Sequence, residues 1–161
     1  MKVYHGSLEI VDHPRILKPN RKLDYGSGFY TTTSEKQSGE WVVRRLNENS
    51  ASHGYVNIYE LDENILSELK SLLFSEPNEE WAEFVMANRT QNGFTHDYDI
   101  VYGPVANDRV YLQFGLYESG VISLETLIRE LKTYKLVDQY LFHTDKALTA
   151  LRFVEATKIE L

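Results

Sequence analysis

The sequence predicts an α+β fold in one domain of residues 1–161, and three observations lead to this prediction. The chain has 161 residues, of which 42% are hydrophobic and 12% aromatic, so it can bury a core of its own. Strand-like and helix-like segments are mixed with long loops instead of following a regular strand–helix alternation, which favours α+β over a doubly wound sheet. No internal repeat or low-complexity linker divides the sequence.

The strands are predicted from short runs that alternate or are rich in aromatic and β-branched residues. The segment GYVNIYEL at 54–61 alternates most regularly. LKSLLF at 69–74 fits a strand or a helix, and we assign it as a strand. The loop over 8–28 contains Pro14 and Pro19 and is predicted to be irregular. The predicted strands cover residues 2–5, 29–32, 54–61, 69–74, 98–103, 138–143 and 152–159.

The helices are predicted from apolar residues at helical spacing and from capping residues at their starts. Ser34 followed three residues later by Gln37 is a capping box, which begins a helix that continues to about residue 48. Pro77 is placed at the start of another helix, and Ser123 caps a third. The predicted helices cover residues 34–48, 62–68, 77–89, 106–118, 123–134 and 145–151.

The composition limits the classes of function. The chain has no cysteine, so disulfides and thiolate chemistry are excluded. The net charge of −7 argues against a global nucleic-acid-binding surface. No apolar stretch is as long as the core of a signal peptide or as a membrane span. We therefore expect a cytoplasmic protein without membrane contact. The histidines lack metal-ligand spacing, so no metal is predicted.

Three motifs are candidates for chemistry. In the first, His5 lies at a strand end and is followed by Gly6, which allows a ligand to approach the backbone and offers it a donor and an acceptor. A structural histidine beside a turn glycine is the simpler interpretation. In the second, DYGSGFYTTT, two glycines precede Tyr30, whose ring suits stacking on a flat ligand; an ordinary turn and strand would have the same pattern. In the third, Gln139 opens an apolar strand, where it could equally be solvated.

Together the three motifs resemble the ADP-ribosyltransferase fold, and more narrowly its H-Y-E branch of diphtheria-toxin-like and PARP-like enzymes. The segments YHGS, DYGSGFYTTT, YDIVYGPVAND and DQYLF are more similar still to a bacterial subgroup catalogued as domains of unknown function. Some members of that broader set lie in toxin–antitoxin or phage-defence operons. The resemblance implies a split β-sheet core with peripheral helices.

The resemblance also implies a site for NAD+ as co-substrate. His5 would bind the nicotinamide ribose, the backbone of Gly6 the carboxamide, and the ring of Tyr30 the nicotinamide. Arg15 would reach the pyrophosphate, since arginine binds phosphate oxygens bidentately. Ser34 or one of the neighbouring threonines would support the ribose. The other expected cofactor contacts are Ser7, Gly28, Phe29 and Thr31.

Gln139 departs from the family pattern, because the H-Y-E branch has a glutamate there. Glutamine forms hydrogen bonds but has no charge to stabilise a cationic transition state. The leading prediction is an NAD+-dependent mono-ADP-ribosyltransferase, a toxin that modifies a protein or a nucleic acid and has a cognate antitoxin. The alternatives are an inactive NAD+-binding or protein-interaction module, and a nuclease-like toxin, which the net charge and the lack of a general-base pair oppose.

Overall fold

Two β-sheets that meet along one seam organise the computed structural model, which describes residues 1–17 and 23–161. Part of the predicted loop, residues 18–22, therefore lies outside the described residues. The strands are β1 Lys2–Ser7, β2 Phe29–Thr31, β3 His53–Leu61, β4 Ser71–Leu73, β5 Ile100–Pro104, β6 Asp138–Phe142 and β7 Leu151–Glu160. The helices are α1 Glu35–Asn49, α2 Glu63–Leu66, α3 Glu79–Thr90, α4 Asp108–Glu118, α5 Leu124–Leu131 and α6 Asp145–Leu148.

The two sheets, A and B, have different strand arrangements. Sheet A has the order β1-β3-β7 and is antiparallel throughout. Sheet B has the order β2-β6-β5-β4, in which only β4 and β5 run parallel. The sheets join where Tyr4 bridges Thr32 through two backbone bonds of 2.8 and 2.9 Å. We call this junction of β1 and β2 the seam.

One face of the seam is filled by a hydrophobic core that draws on both sheets. Val3 and Tyr59 of sheet A pack there with Phe29, Ile100 and Phe142 of sheet B. On the opposite face, α1 covers sheet A through Val42 and Leu46, and a third cluster of buried side chains lies against sheet B with contributions from α3, α4 and α5. The alternation of side chains along each strand produces these separate layers.

The helix starts follow their capping residues. Ser34 accepts a hydrogen bond from the N–H of Gln37, which confirms it as the cap of α1. The second bond of the predicted capping box differs, because the N–H of Ser34 donates to the hydroxyl of Thr32 and not to Gln37. Asn78 and Asn107 cap α3 and α4 as Ser34 caps α1. Each predicted strand and helix is present, but several ends differ. The helix predicted over 123–134 ends at Leu131, because the next residues wind into i→i+3 turns. Similarly, α6 ends at Leu148 because Leu151 already pairs with Leu61 in sheet A.

The architecture is α+β, with helices packed around two sheets instead of alternating with parallel strands. Within the described residues, none of the helices combines the length and the apolar character that crossing a membrane requires.

Candidate functional site

Gly6 lies beyond the last backbone hydrogen bond that joins β1 to β2 in the described chain, and we call this unpaired stretch of the seam the gap. In an antiparallel strand the N–H and C=O groups of alternate residues point to the same side. Tyr4 bonds to Thr32 of the β2 segment, so Gly6, two residues on, also directs its backbone groups towards β2. In the described part of the chain, the Tyr4–Thr32 pair makes the backbone bonds that cross from β1 to β2. Gly6 therefore offers a donor and an acceptor to whatever enters the gap.

Helix α1 crosses directly over Gly6. A Cβ atom at this position would lie 2.7 Å from the carbonyl oxygen of Ser38, 2.9 Å from Cγ2 of Val42 and 3.0 Å from Cδ1 of Trp41. Only glycine permits so close an approach of the helix to the strand. As a consequence, the α1 residues Ser38, Trp41 and Val42 line one side of the Gly6 backbone; we call these three residues the wall.

The hydroxyl of Ser38 is an orphan group within this wall. Ser38 is buried, and its Oγ atom has no hydrogen-bond partner among the described residues. The helical N–H of Ser38 bonds to the carbonyl of Ser34, but the hydroxyl does not use that carbonyl. Burying an unpaired hydroxyl costs about 1–3 kcal/mol, so the position needs an explanation other than stability.

His5 is held in one tautomer. Its Nδ1 lies 2.7 Å from the carbonyl oxygen of Tyr30, and because a carbonyl only accepts, Nδ1 must carry the proton. Burial lowers the pKa of His5, although the bond to Tyr30 acts in the opposite direction. The ring is therefore neutral at pH 7, and its Nε2 is a hydrogen-bond acceptor. It stacks on Phe29 with ring centroids 4.2 Å apart, which fixes its plane.

The ring of Tyr30 lies on the other face of β2 from Phe29, because successive strand residues alternate. Its hydroxyl donates to the carbonyl of Gly26 at 2.6 Å and accepts from the N–H of Tyr25 at 3.1 Å. Burial raises the pKa of Tyr30 well above its ordinary value. The ring is thus fixed by its own glycine-containing turn and is a rigid, neutral surface.

Gln139 lies on the same face of sheet B as Tyr30. Tyr30 pairs with Leu141, and Gln139 is two residues away on β6, which makes it a diagonal neighbour within reach. Gln139 is only 9% exposed, and its Nε2 lies 3.3 Å from Oδ2 of Asp24. The structure therefore brings Tyr30 and Gln139 together, but Gln139 is anchored to a buried acid.

The loop that follows His5 is clamped by Asn57, which is fully buried on β3. Its amide donates to the carbonyls of His5 and Glu9, both at 3.2 Å, and accepts from the N–H of Val11 at 2.8 Å. The hydroxyl of Tyr59 adds a short bond of 2.5 Å to the carbonyl of Val11. These bonds fix the chain on the far side of the His5–Gly6 pair.

The remaining sequence-predicted contacts have mixed positions. Phe29 and Thr31 are buried, with Thr31 donating to the carbonyl of Tyr140. Gly28 has φ +145°, and any side chain there would collide with the carbonyl oxygen of Phe142. Ser7 accepts from the N–H of Glu9. Arg15 is exposed. The structure thus assigns packing and turn roles to these buried residues, while Arg15 is exposed to solvent on the loop.

Sequence reasoning missed Ser38, Trp41, Asn57 and Asp24 as members of this region. Ser38 and Trp41 follow the Tyr30 strand on the first turns of α1, and their spacing could have suggested a shared inner face. Asp24 directly precedes the glycine-rich turn. For Asn57, the only sequence signal was a polar residue inside an apolar strand.

Four further acids of the described chain are either exposed or bonded to structural partners. Glu118 and Glu125 are exposed, as expected for helix ends. Asp99 is engaged by the N–H of Lys70 and the hydroxyl of Thr144, and Asp138 by Thr33 and Tyr102. Among the residues described, no group of three potential metal ligands lies close enough together to hold an ion.

The protein is a small α+β domain with two sheets, in which Gly6 and the half-buried Tyr30 lie at the seam. A family comparison then places the chain: residues 1–153 match the family described as "Protein of unknown function (DUF3990)". The match covers most of the chain, so the protein belongs to this family. A search of curated proteins and a search of solved structures each found no match.

Proposed function

We propose that the protein is an NAD+-dependent mono-ADP-ribosyltransferase with an ADP-ribosyltransferase-like split sheet, in which the seam forms the donor site. The observation that carries the proposal is the orphan hydroxyl of Ser38, on the turn of α1 whose backbone packs against Gly6. A carboxamide presents one acceptor and two donors in a plane. Gly6 and Ser38 together would satisfy such a group, and its entry would remove the cost of the unpaired hydroxyl.

The aromatic and imidazole groups extend this site to the rest of nicotinamide riboside. The ring of Tyr30 lies on the face of the seam towards which Gly6 also turns, because Tyr4 pairs with Thr32 and residues two apart share a face. There it would stack on the pyridinium ring. The neutral His5 would accept a hydrogen bond from a ribose hydroxyl at its Nε2. Each of these groups is fixed by other hydrogen bonds, so the donor would meet a preorganised surface.

The reaction would proceed by cleavage of the nicotinamide–ribose bond. Both bonding electrons leave with nicotinamide, which becomes neutral, and the ribosyl carbon acquires cationic character. An acceptor nucleophile then forms the new bond to that carbon and loses a proton. The acceptor would be a protein side chain or a nucleic-acid base, consistent with a toxin that is neutralised by a cognate antitoxin.

A second candidate function is an NAD+-binding module without catalysis. It is favoured by Gln139, which is neutral, 9% exposed and already bonded to Asp24. Without a charge at this position the transition state would lose an important stabilising interaction. This candidate predicts NAD+ binding without release of nicotinamide, whereas the transferase predicts both.

Calorimetric titration with NAD+, combined with a nicotinamide-release assay, tests the proposal. We expect the wild type to bind NAD+ and to release nicotinamide, and we expect His5→Ala and Tyr30→Ala to lose both. His13→Ala is the matched control, because His13 is highly exposed. Binding at full strength in both His5→Ala and Tyr30→Ala would rule out the seam as the donor site. Binding without nicotinamide release would favour the inactive module.

A further inference from the structure

A buried carboxylate lies directly behind Gln139. Asp24 is 7% exposed and accepts hydrogen bonds from the N–H of Ala106 at 3.1 Å and from the hydroxyl of Tyr111. Gln139 donates to it at 3.3 Å, and Nη1 of Arg89 lies 3.5 Å from it. Four donors around one carboxyl group match an ionised acid, since a carboxylate only accepts.

The surroundings keep this charge in a fixed place. The guanidinium of Arg89 lies over the ring of Tyr111, 4.4 Å from the centroid, so the cation and the phenol approach Asp24 from one side. The backbone of Ala106 fixes the oxygen that also receives Gln139. Tyr25, the next residue along the chain, is anchored by the carbonyl of Pro104 at 2.7 Å. The carboxylate therefore has little freedom to turn away from Gln139.

The charge determines how Gln139 is oriented. Because Asp24 only accepts, the NH2 end of the Gln139 amide must face it, and the carbonyl end points away. The same side chain also forms a hydrogen bond with the hydroxyl of Tyr25. Because the Tyr25 hydroxyl donates its proton to the carbonyl of Pro104, Gln139 is the donor in this bond as well. Its Oε1 is thus left as an acceptor on the face of sheet B that carries Tyr30.

We propose that Asp24 is a positioning residue that supplies, through Gln139, the negative charge that a ribosyl cation requires. The inference rests on the proposed function. Oε1 of Gln139 would accept from a ribose hydroxyl while Asp24 polarises the amide from behind. A nearby carboxylate stabilises a developing cation without touching it; Arg89 offsets part of this charge from the other oxygen of Asp24. The two side chains would act as one acidic unit divided between the Asp24 loop and β6.

The same contact explains why position 139 carries an amide. A glutamate there would put a second carboxylate next to Asp24, and two carboxylates at this distance cannot both remain ionised. Gln139→Glu would therefore remove a donor from Asp24 and add a repelling charge. Gln139→Glu should introduce a stable carboxylate at position 139 only when the charge of Asp24 is removed at the same time.

A double-mutant cycle of Asp24→Asn and Gln139→Glu tests the inference. Thermal unfolding midpoints and the kcat and KM for nicotinamide release are measured for the wild type, both single variants and the double variant. We expect Asp24→Asn to lower kcat roughly 10–100-fold with KM for NAD+ nearly unchanged. The double variant should recover most of this loss. Gln139→Glu should lower the unfolding midpoint more in the wild-type background than in the Asp24→Asn background.

Asp138→Asn is the matched control, because Asp138 also accepts several hydrogen bonds. Asp138 and Gln139 are consecutive residues of β6, so their side chains leave the strand on opposite faces. It should lower the unfolding midpoint and leave kcat within about twofold. Full kcat in Asp24→Asn, or additive effects in the cycle, would overturn the role of Asp24 while the transferase stands. A wild type that neither binds NAD+ nor releases nicotinamide would instead overturn the proposed function, and this inference with it.

Discussion

Removing the Ser38 hydroxyl should stabilise the free protein and weaken the site. Its Oγ atom is buried without a partner in the described structure, and relief of an unpaired buried hydroxyl is worth about 1–3 kcal/mol. Alanine also favours a helix interior by about 0.5 kcal/mol. The void left by the oxygen offsets part of this gain. We expect Ser38→Ala to raise the free energy of unfolding by about 1–2 kcal/mol, or the midpoint by roughly 2–8 °C for a chain of this length.

The same change should weaken NAD+ binding. A lost hydrogen bond of about 0.5–1.5 kcal/mol corresponds to a roughly two- to twelvefold higher Kd. Scanning calorimetry gives the midpoint and isothermal titration gives the Kd. Ser34→Ala, at the start of the same helix, is the control for stability: it removes the cap on the N–H of Gln37 and should destabilise by about 1 kcal/mol. If Ser38→Ala lowers the midpoint as Ser34→Ala does, or if the Kd is unchanged, the reasoning is wrong.

Two further outcomes concern the framework of the site. Asn57→Ala leaves two carbonyls and the N–H of Val11 without their partner, so urea titration should show a loss of about 2–4 kcal/mol; a loss near zero would contradict the clamp. Burial lowers the pKa of His5 and of His96 from 6.5, so the unfolded chain binds more protons below that pH. Stability is then complete above pH 6.5 and falls below it. Midpoints from about pH 7.5 to about pH 5 should show this fall, and a His5→Gln, His96→Gln double variant that retains the same slope would refute it.

Elements whose local sequence carries a regular pattern or a capping residue could be predicted, because local forces determine them. The period-two pattern at 54–61 indicated β3, and the Ser34–Gln37 pair indicated the start of α1. The helix predicted over 77–89 begins later, since Asn78 supplies the cap and Pro77 lies before it. Strand β4 was predicted over an ambiguous segment and covers only Ser71–Leu73, where its pairing with β5 is what defines it.

The candidate site was only partly predictable, because its members meet through long-range pairing. His5, Gly6 and Tyr30 form local motifs, and the sequence indicated all three. The orphan state of Ser38 depends on how α1 crosses β1, which no local pattern contains. The contact of Asp24 with Gln139 joins residues 115 positions apart. A buried pair of this kind is visible only after the loop, β6 and the helices have been brought together.

The seam makes the molecule mechanically asymmetric. On one face of the seam, the shared hydrophobic core of Val3, Phe29 and Phe142 packs the two sheets together. Between the strands, the backbone hydrogen bonds that connect the two sheets in the described chain are those of the Tyr4–Thr32 pair. Two such bonds are worth about 1–3 kcal/mol together. We therefore expect any opening of the seam to widen the Tyr30 side first, because the shared core packs the other face and the His5–Tyr30 hydrogen bond would have to break. Amide exchange at Tyr4 and Thr32 would report this opening, and a ligand bridging Gly6 across the gap would slow it.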